Sequence, residues 1–153
     1  MNIIALDLSL SNTGVCIFDE NENPVEVFSV KTDSKLSHAL RLKTIADAFL
    51  DIRSKHKIDK IIIEKGFSRF NVSTQVVFMV HGIAQYIFCD YEQIYIAPST
   101  VKKIVSGKGN SDKKVLAGFV KEVYPSLVFK NEDESDAVAI GLAYFMGRDN
   151  GKS

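Results

Sequence analysis

Four acidic residues at three places along the chain constrain what it can fold into more than anything else in the sequence. Asp7 lies inside the apolar run Ile3-Ile4-Ala5-Leu6-Asp7-Leu8 and Glu64 ends the run Ile61-Ile62-Ile63-Glu64. Asp133 and Asp136 stand just ahead of Ala137-Val138-Ala139-Ile140. A carboxylate within a buried strand is costly to desolvate unless something compensates its charge. Three such placements in 153 residues point to a shared cation, and so to a fold that brings distant segments together. A divalent metal site working on phosphodiester bonds is the natural candidate.

The hydrophobic pattern supplies the frame. Residues 2–9 read as a strand, Ser11-Asn12-Thr13-Gly14 as a turn, and Val15-Cys16-Ile17-Phe18 as a second strand. Asn21-Glu22-Asn23-Pro24 is a second turn, and Val25, Val27 and Val30 mark a third strand. Strands joined by short turns make an antiparallel meander. The period then lengthens: Leu42, Ile45, Ala46 and Phe49 predict an amphipathic helix over about 35–56. Ile61-Ile62-Ile63 is a central buried strand. Residues 72–89 are helical, with Val76, Met79, Val80, Ile83 and Ile87 on one face. Val77, Phe78, Ala84 and Phe88 add apolar surface on other sides, which suits either a dimer interface or burial under a loop. Ile94-Tyr95-Ile96 is a fifth strand. Ser99 is expected to cap a short helix through Val105, and Ser111 to cap another that ends at Tyr124-Pro125. A last helix is expected from about 134 to 147. The order β-β-β-α-β-α-β-α-α-α predicts an α/β fold, with a five-stranded mixed sheet flanked by helices, in one domain over residues 1–153.

Several function classes are expected to be absent. The longest apolar runs are far too short to span a bilayer, and Met1-Asn2 leads directly into a strand pattern, so no cleavable signal peptide is expected. Cys16 and Cys89 lie in apolar segments with no metal-binding spacing, which suits reduced core thiols in a cytoplasmic protein. The formal net charge is zero, yet Lys102, Lys103, Lys108, Lys113, Lys114 and Lys121 face only Asp112 within residues 102–121. Such a strip is either a nucleic-acid footprint of limited size or a solvated lysine-rich face.

If the first and fourth strands are neighbours, Asp7 and Glu64 converge. Asp133 and Asp136, three apart at a helix start, share a face with Ala137, Ile140 and Gly141. Burying Ile140 and Tyr144 against the sheet would bring both aspartates to the same point. Four carboxylates balance two Mg²⁺, with Mn²⁺ an expected substitute, and hard oxygen ligands suit both ions. Without metal the carboxylates should raise one another's pKa. The alternatives are ordinary ones: Asp133 and Asp136 as acids favoured by a helix N-terminus, and Glu64 as an exposed strand end.

The chain resembles the RuvC-type Holliday junction resolvases of bacteria and their phages, which have an RNase H-like fold. The resemblance rests on Ile4-Ala5-Leu6-Asp7-Leu8-Ser9 with Thr13-Gly14, on Ile62-Ile63-Glu64 with Phe67, and on Ala97-Pro98-Ser99-Thr100-Val101-Lys102. It continues through Gly107-Lys108-Gly109-Asn110-Ser111-Asp112-Lys113 and Asp133-Glu134-Ser135-Asp136-Ala137-Val138-Ala139-Ile140. It implies a homodimeric, Mg²⁺-dependent endonuclease that nicks two strands of like polarity in a four-way junction. Asp7, Glu64, Asp133 and Asp136 match its metal-binding positions, and Lys102 and Lys113 match basic residues near the scissile phosphate, Lys113 with a catalytic role. Phe67 matches an aromatic that stacks on bases at the crossover. Arg69, Lys103, Lys108 and Lys114 complete the expected DNA contacts, and helix 72–89 matches the dimer helix. Ser9-Leu10-Ser11 replaces the Pro-Gly more usual after the first aspartate and is closer to the phage and viral branch. The rival readings are a ribonuclease H or a flap or debranching nuclease with the same acids, and a non-catalytic junction-binding protein. A sugar-kinase-like ATPase would need two such domains and further Gly-rich loops.

Overall fold

A computed structural model describes residues 1–66 and 72–150. The elements follow the expected order: β1 (Asn2–Asp7), β2 (Asn12–Phe18), β3 (Pro24–Lys31), α1 (His38–Lys55), β4 (Ile58–Glu64), α2 (Val72–Ile87), β5 (Glu92–Ile96), α3 (Pro98–Ser106), α4 (Lys113–Val123) and α5 (Glu132–Asn150). The sheet order is β3-β2-β1-β4-β5. β1, β2 and β3 are antiparallel, whereas β4 runs parallel to β1 and β5 parallel to β4.

The alternation of side chains along a strand divides the core in two. Ile4, Leu6, Val15, Ile17, Ile61 and Ile63 pack on one face with Ile45 and Phe49 of α1, Val80 and Ala84 of α2, and Phe88 just after it. Ile3, Ala5, Cys16, Phe18 and Ile62 pack on the other with α3, α4 and α5. Asp7 shares the face of Ile3 and Ala5. It pairs with Gly14, while Ala5 pairs with Ile62, two residues before Glu64. Apolar burial below thus fixes the direction in which both acids point above.

Local chemistry moves several boundaries. Asn12, Thr13 and Gly14 belong to β2 rather than to a turn: the Thr13 hydroxyl donates to the Ser9 carbonyl and the Ser9 N–H donates back to the Thr13 Oγ1 atom, closing the bend between Ser9 and Thr13, and the strand starts three residues before Val15. Ser37 caps α1 by accepting from the Leu40 N–H, so this helix starts later than its apolar period. Ser99 lies within α3: Ala97 is the cap and Pro98 the first helical residue, a position where its missing N–H costs nothing. Asp112, not Ser111, caps α4 by accepting from the Val115 N–H. Among the described residues of α2 the buried ones are Val80, His81, Ala84 and Ile87, with Phe88 just beyond its end, whereas Phe78, Met79 and Tyr86 face outward. Met79, expected on one face with Val80, thus stands exposed where Val80 is buried. Cys16 is buried but Cys89 is exposed, which corrects its placement in the core.

Candidate active site

Asp7 ends β1 and Glu64 ends β4, adjacent parallel strands. Asp133 and Asp136 lie in the opening turns of α5. That helix starts where it does because the Asn131 Oδ1 atom accepts from the Glu134 N–H, and the buried Glu134 carboxylate accepts from the Lys130 N–H. The arrangement is close to a capping box, with side chains satisfying donors that the first turn leaves open. The helix approaches β2 so closely that a methyl group on Gly14 would stand 2.0 Å from the Asp133 carbonyl oxygen.

The result is one acidic cluster. Asp7, Asp133 and Asp136 each offer a carboxylate oxygen, and these oxygens lie within 4.8 Å of one another. Glu64 is outside that group but lines the same cleft, together with Asp7, Pro98, Lys102, Lys113, Leu116 and Asp136. The Lys113 Nζ atom, on the first residue of α4, sits 3.3 Å from the Asp136 Oδ2 atom.

The electrostatics follow from burial and like charge. Asp7 is pushed from 3.8 to about 8, chiefly by burial and then by Glu64, Asp136 and Asp133. Glu64 is raised from 4.5 to about 7 by burial and by Asp136, against the opposing pull of Lys113 and Lys102. Asp136 is also raised, mostly by burial, with Lys113 opposing. The protein's own cation therefore compensates the cluster only in part. Converging hard oxygens with uncompensated charge, partly shielded from water, are a donor set that fits a divalent cation of the Mg²⁺ type. The cluster can hold a metal ion.

The family model for the crossover junction endodeoxyribonuclease RuvC matches residues 3–144. The chain belongs to the RuvC family. It is 30% identical to the RuvC endonuclease of Rhizobium etli, over 97% of this chain and 91% of that protein. It is 28% identical to the RuvC of Agrobacterium fabrum with the same coverage. Its fold matches a Thermus thermophilus RuvC solved in complex with a Holliday junction substrate, with a TM-score of 0.86, 18% identity, and coverage of 99% of this chain and 96% of that one.

Within this RuvC framework the lysines expected at DNA separate into two groups. Lys102 and Lys113 line the cleft. Lys103, Lys108 and Lys114 are exposed and do not line it. Phe67 and Arg69 lie outside the described residues. Asn12 was not among the residues expected at the site; its Nδ2 atom donates to the Asp133 Oδ2 atom at 2.6 Å. Nor was Glu134, which anchors the start of α5. The spacing of Asn131 and Glu134 is a capping signal that would have marked the second; nothing local marks the first, because its partner is 121 residues away.

Proposed function

We propose that this chain is a metal-dependent, structure-selective endonuclease that resolves four-way (Holliday) and other branched DNA junctions by paired phosphodiester hydrolysis. The observation that carries the reading is the meeting of Asp7, Asp133 and Asp136 beside Lys113 in a member of the crossover junction endodeoxyribonuclease family. Membership brings the activity named for the relatives, and the solved relative with bound Holliday junction brings the substrate class.

Asp7, Asp133 and Asp136, with Glu64 from the same cleft, would hold two Mg²⁺, for which Mn²⁺ can substitute. When bound, such a pair activates a water and stabilises the leaving oxygen of an in-line displacement. The protein's own groups do the rest. Lys113 neutralises Asp136 while the site is free, and its flexible stem lets the ammonium turn to a phosphate oxygen once Asp136 is otherwise engaged. Lys102 offers a second cation from α3 on the same cleft. Lys103, Lys108 and Lys114 hold the backbone further out, and Arg69 and Phe67, a few residues beyond Glu64 in sequence, hold the backbone and stack on bases at the crossover.

Symmetric cuts need two sites related by a two-fold axis. Helix α2 supports a homodimer here, because Phe78, Met79 and Tyr86 present apolar surface outward from a helix whose other side is core. Residues 1–153 act as one nuclease domain in the cytoplasm; among the described residues no helix is long and apolar enough to cross a membrane.

The test is cutting of a four-way junction, a flap, a linear duplex and an RNA–DNA hybrid, each with Mg²⁺ and with chelator. Paired nicks in the junction, only with the metal, are expected. Preference for the hybrid or the flap would assign the same acids to a different substrate.

A further inference from the structure

We propose that Asn12 is a positioning residue that holds the Asp133 carboxylate ready for a divalent cation. The inference rests on the metal-site reading above. Asn12 opens β2, and its Nδ2 atom donates to the Asp133 Oδ2 atom at 2.6 Å. At its other end the Asn12 Oδ1 atom is cut off from solvent and accepts from no donor among the described residues.

An amide that needed only to satisfy itself would turn. This one is held as it is by its partner: turned over, it would set its carbonyl oxygen where the Nδ2 atom now stands, 2.6 Å from the Asp133 Oδ2 atom, oxygen against oxygen. The open acceptor at one end therefore marks a geometry kept for the other. Gly14, two residues on and on the same strand face, receives the Asp133 main-chain carbonyl. One strand thus fixes Asp133 twice, by its main chain and by its carboxylate.

The kind of partner matters. Asp136 is met by the charged Lys113, which competes with a cation for it. Asn12 is neutral: it orients Asp133 and leaves its charge in place. Outer partners of this kind set ligand direction and metal affinity.

The experiment measures Mn²⁺ binding by calorimetry to the wild-type protein, Asn12→Ala and Asn12→Asp, with thermal melts alongside. Asn12→Ala is expected to bind Mn²⁺ about tenfold or more weakly while melting near the wild type. The Mg²⁺ concentration for half-maximal junction cutting should rise by a similar factor, and the rate at saturating Mg²⁺ should recover. If removal of the side chain lowers the melting temperature, the near-isosteric Asn12→Asp carries the test: it keeps the shape, removes the Nδ2 donor, and is expected to bind Mn²⁺ with an affinity that departs from the wild type. Wild-type Mn²⁺ affinity in both variants overturns the positioning role alone. Failure of the wild-type protein to bind Mn²⁺ overturns the metal site itself and the inference with it.

Discussion

Gly14 and Asp133 meet with no room between them: a Cβ on Gly14 would stand 2.0 Å from the Asp133 carbonyl oxygen and 3.3 Å from the Ala137 Cβ atom. Gly14 is also the strand partner of Asp7. The seam between α5 and β2 thus sets the distance between two of the three clustered acids. Gly14→Ala should force α5 away, because the obstacle is backbone and cannot rotate aside. The expected result is a loss of about 1–3 kcal/mol of stability and of most cleavage, read by denaturant unfolding and a junction-cutting assay.

The raised carboxylates make stability depend on pH. Asp7 stands at about 8 and Glu64 at about 7, against ordinary values of 3.8 and 4.5. Between those limits the folded protein holds protons that the unfolded chain has released, so stability falls as pH rises from about 4 to 8 and then levels. Asp7→Asn removes its share of this penalty. In chelator at pH 8.5 the variant should melt about 4 °C or more above the wild type, and the gap should close toward pH 4. A constant gap across that range would contradict the assignment.

Lys113 lowers the pKa of Asp7, Glu64 and Asp136. Lys113→Met should therefore leave those acids protonated to higher pH and move the pH–rate profile in the alkaline direction. Loss of a positioned cation should also reduce the rate at saturating Mg²⁺ by about 10²-fold. Kinetics across pH 6–9 check both effects; an unshifted profile would separate Lys113 from the acids.

Helix α2 turns Met79 and Tyr86 outward, with exposures of 43% and 79%. Met79→Glu should leave the fold intact, since that side chain is not core, and should dissociate the proposed dimer. Light scattering checks the mass. Dimer mass retained by Met79→Glu and by Tyr86→Glu would exclude α2 as the interface.

Much of this was legible in the sequence, for reasons that particular residues make plain. The apolar run around Asp7 and the triplet before Glu64 announced buried strands, because only burial explains that many isoleucines in sequence, but that the two are neighbours emerges only from the sheet order. The three-residue step from Asp133 to Asp136 announced a shared helix face. Helix caps were less legible: Ser111 and Asp112 are both good caps in isolation, and the Val115 N–H chooses between them only when the loop before α4 is built. The outward face of α2 was obscured because it is apolar nearly all round, so periodicity could not separate Met79 from Val80. Asn12 was invisible because its role depends wholly on a partner at the far end of the chain.

The most direct test of the shared metal site is the single-turnover rate of four-way junction cutting by Asp7→Asn in saturating Mg²⁺, with junction affinity measured in parallel. The carboxamide keeps the shape and removes the charge that the cation needs. The expected result is a fall of about 10³-fold in rate, with junction affinity close to that of the wild type. Cutting at the wild-type rate would contradict the placement of Asp7 at the metal.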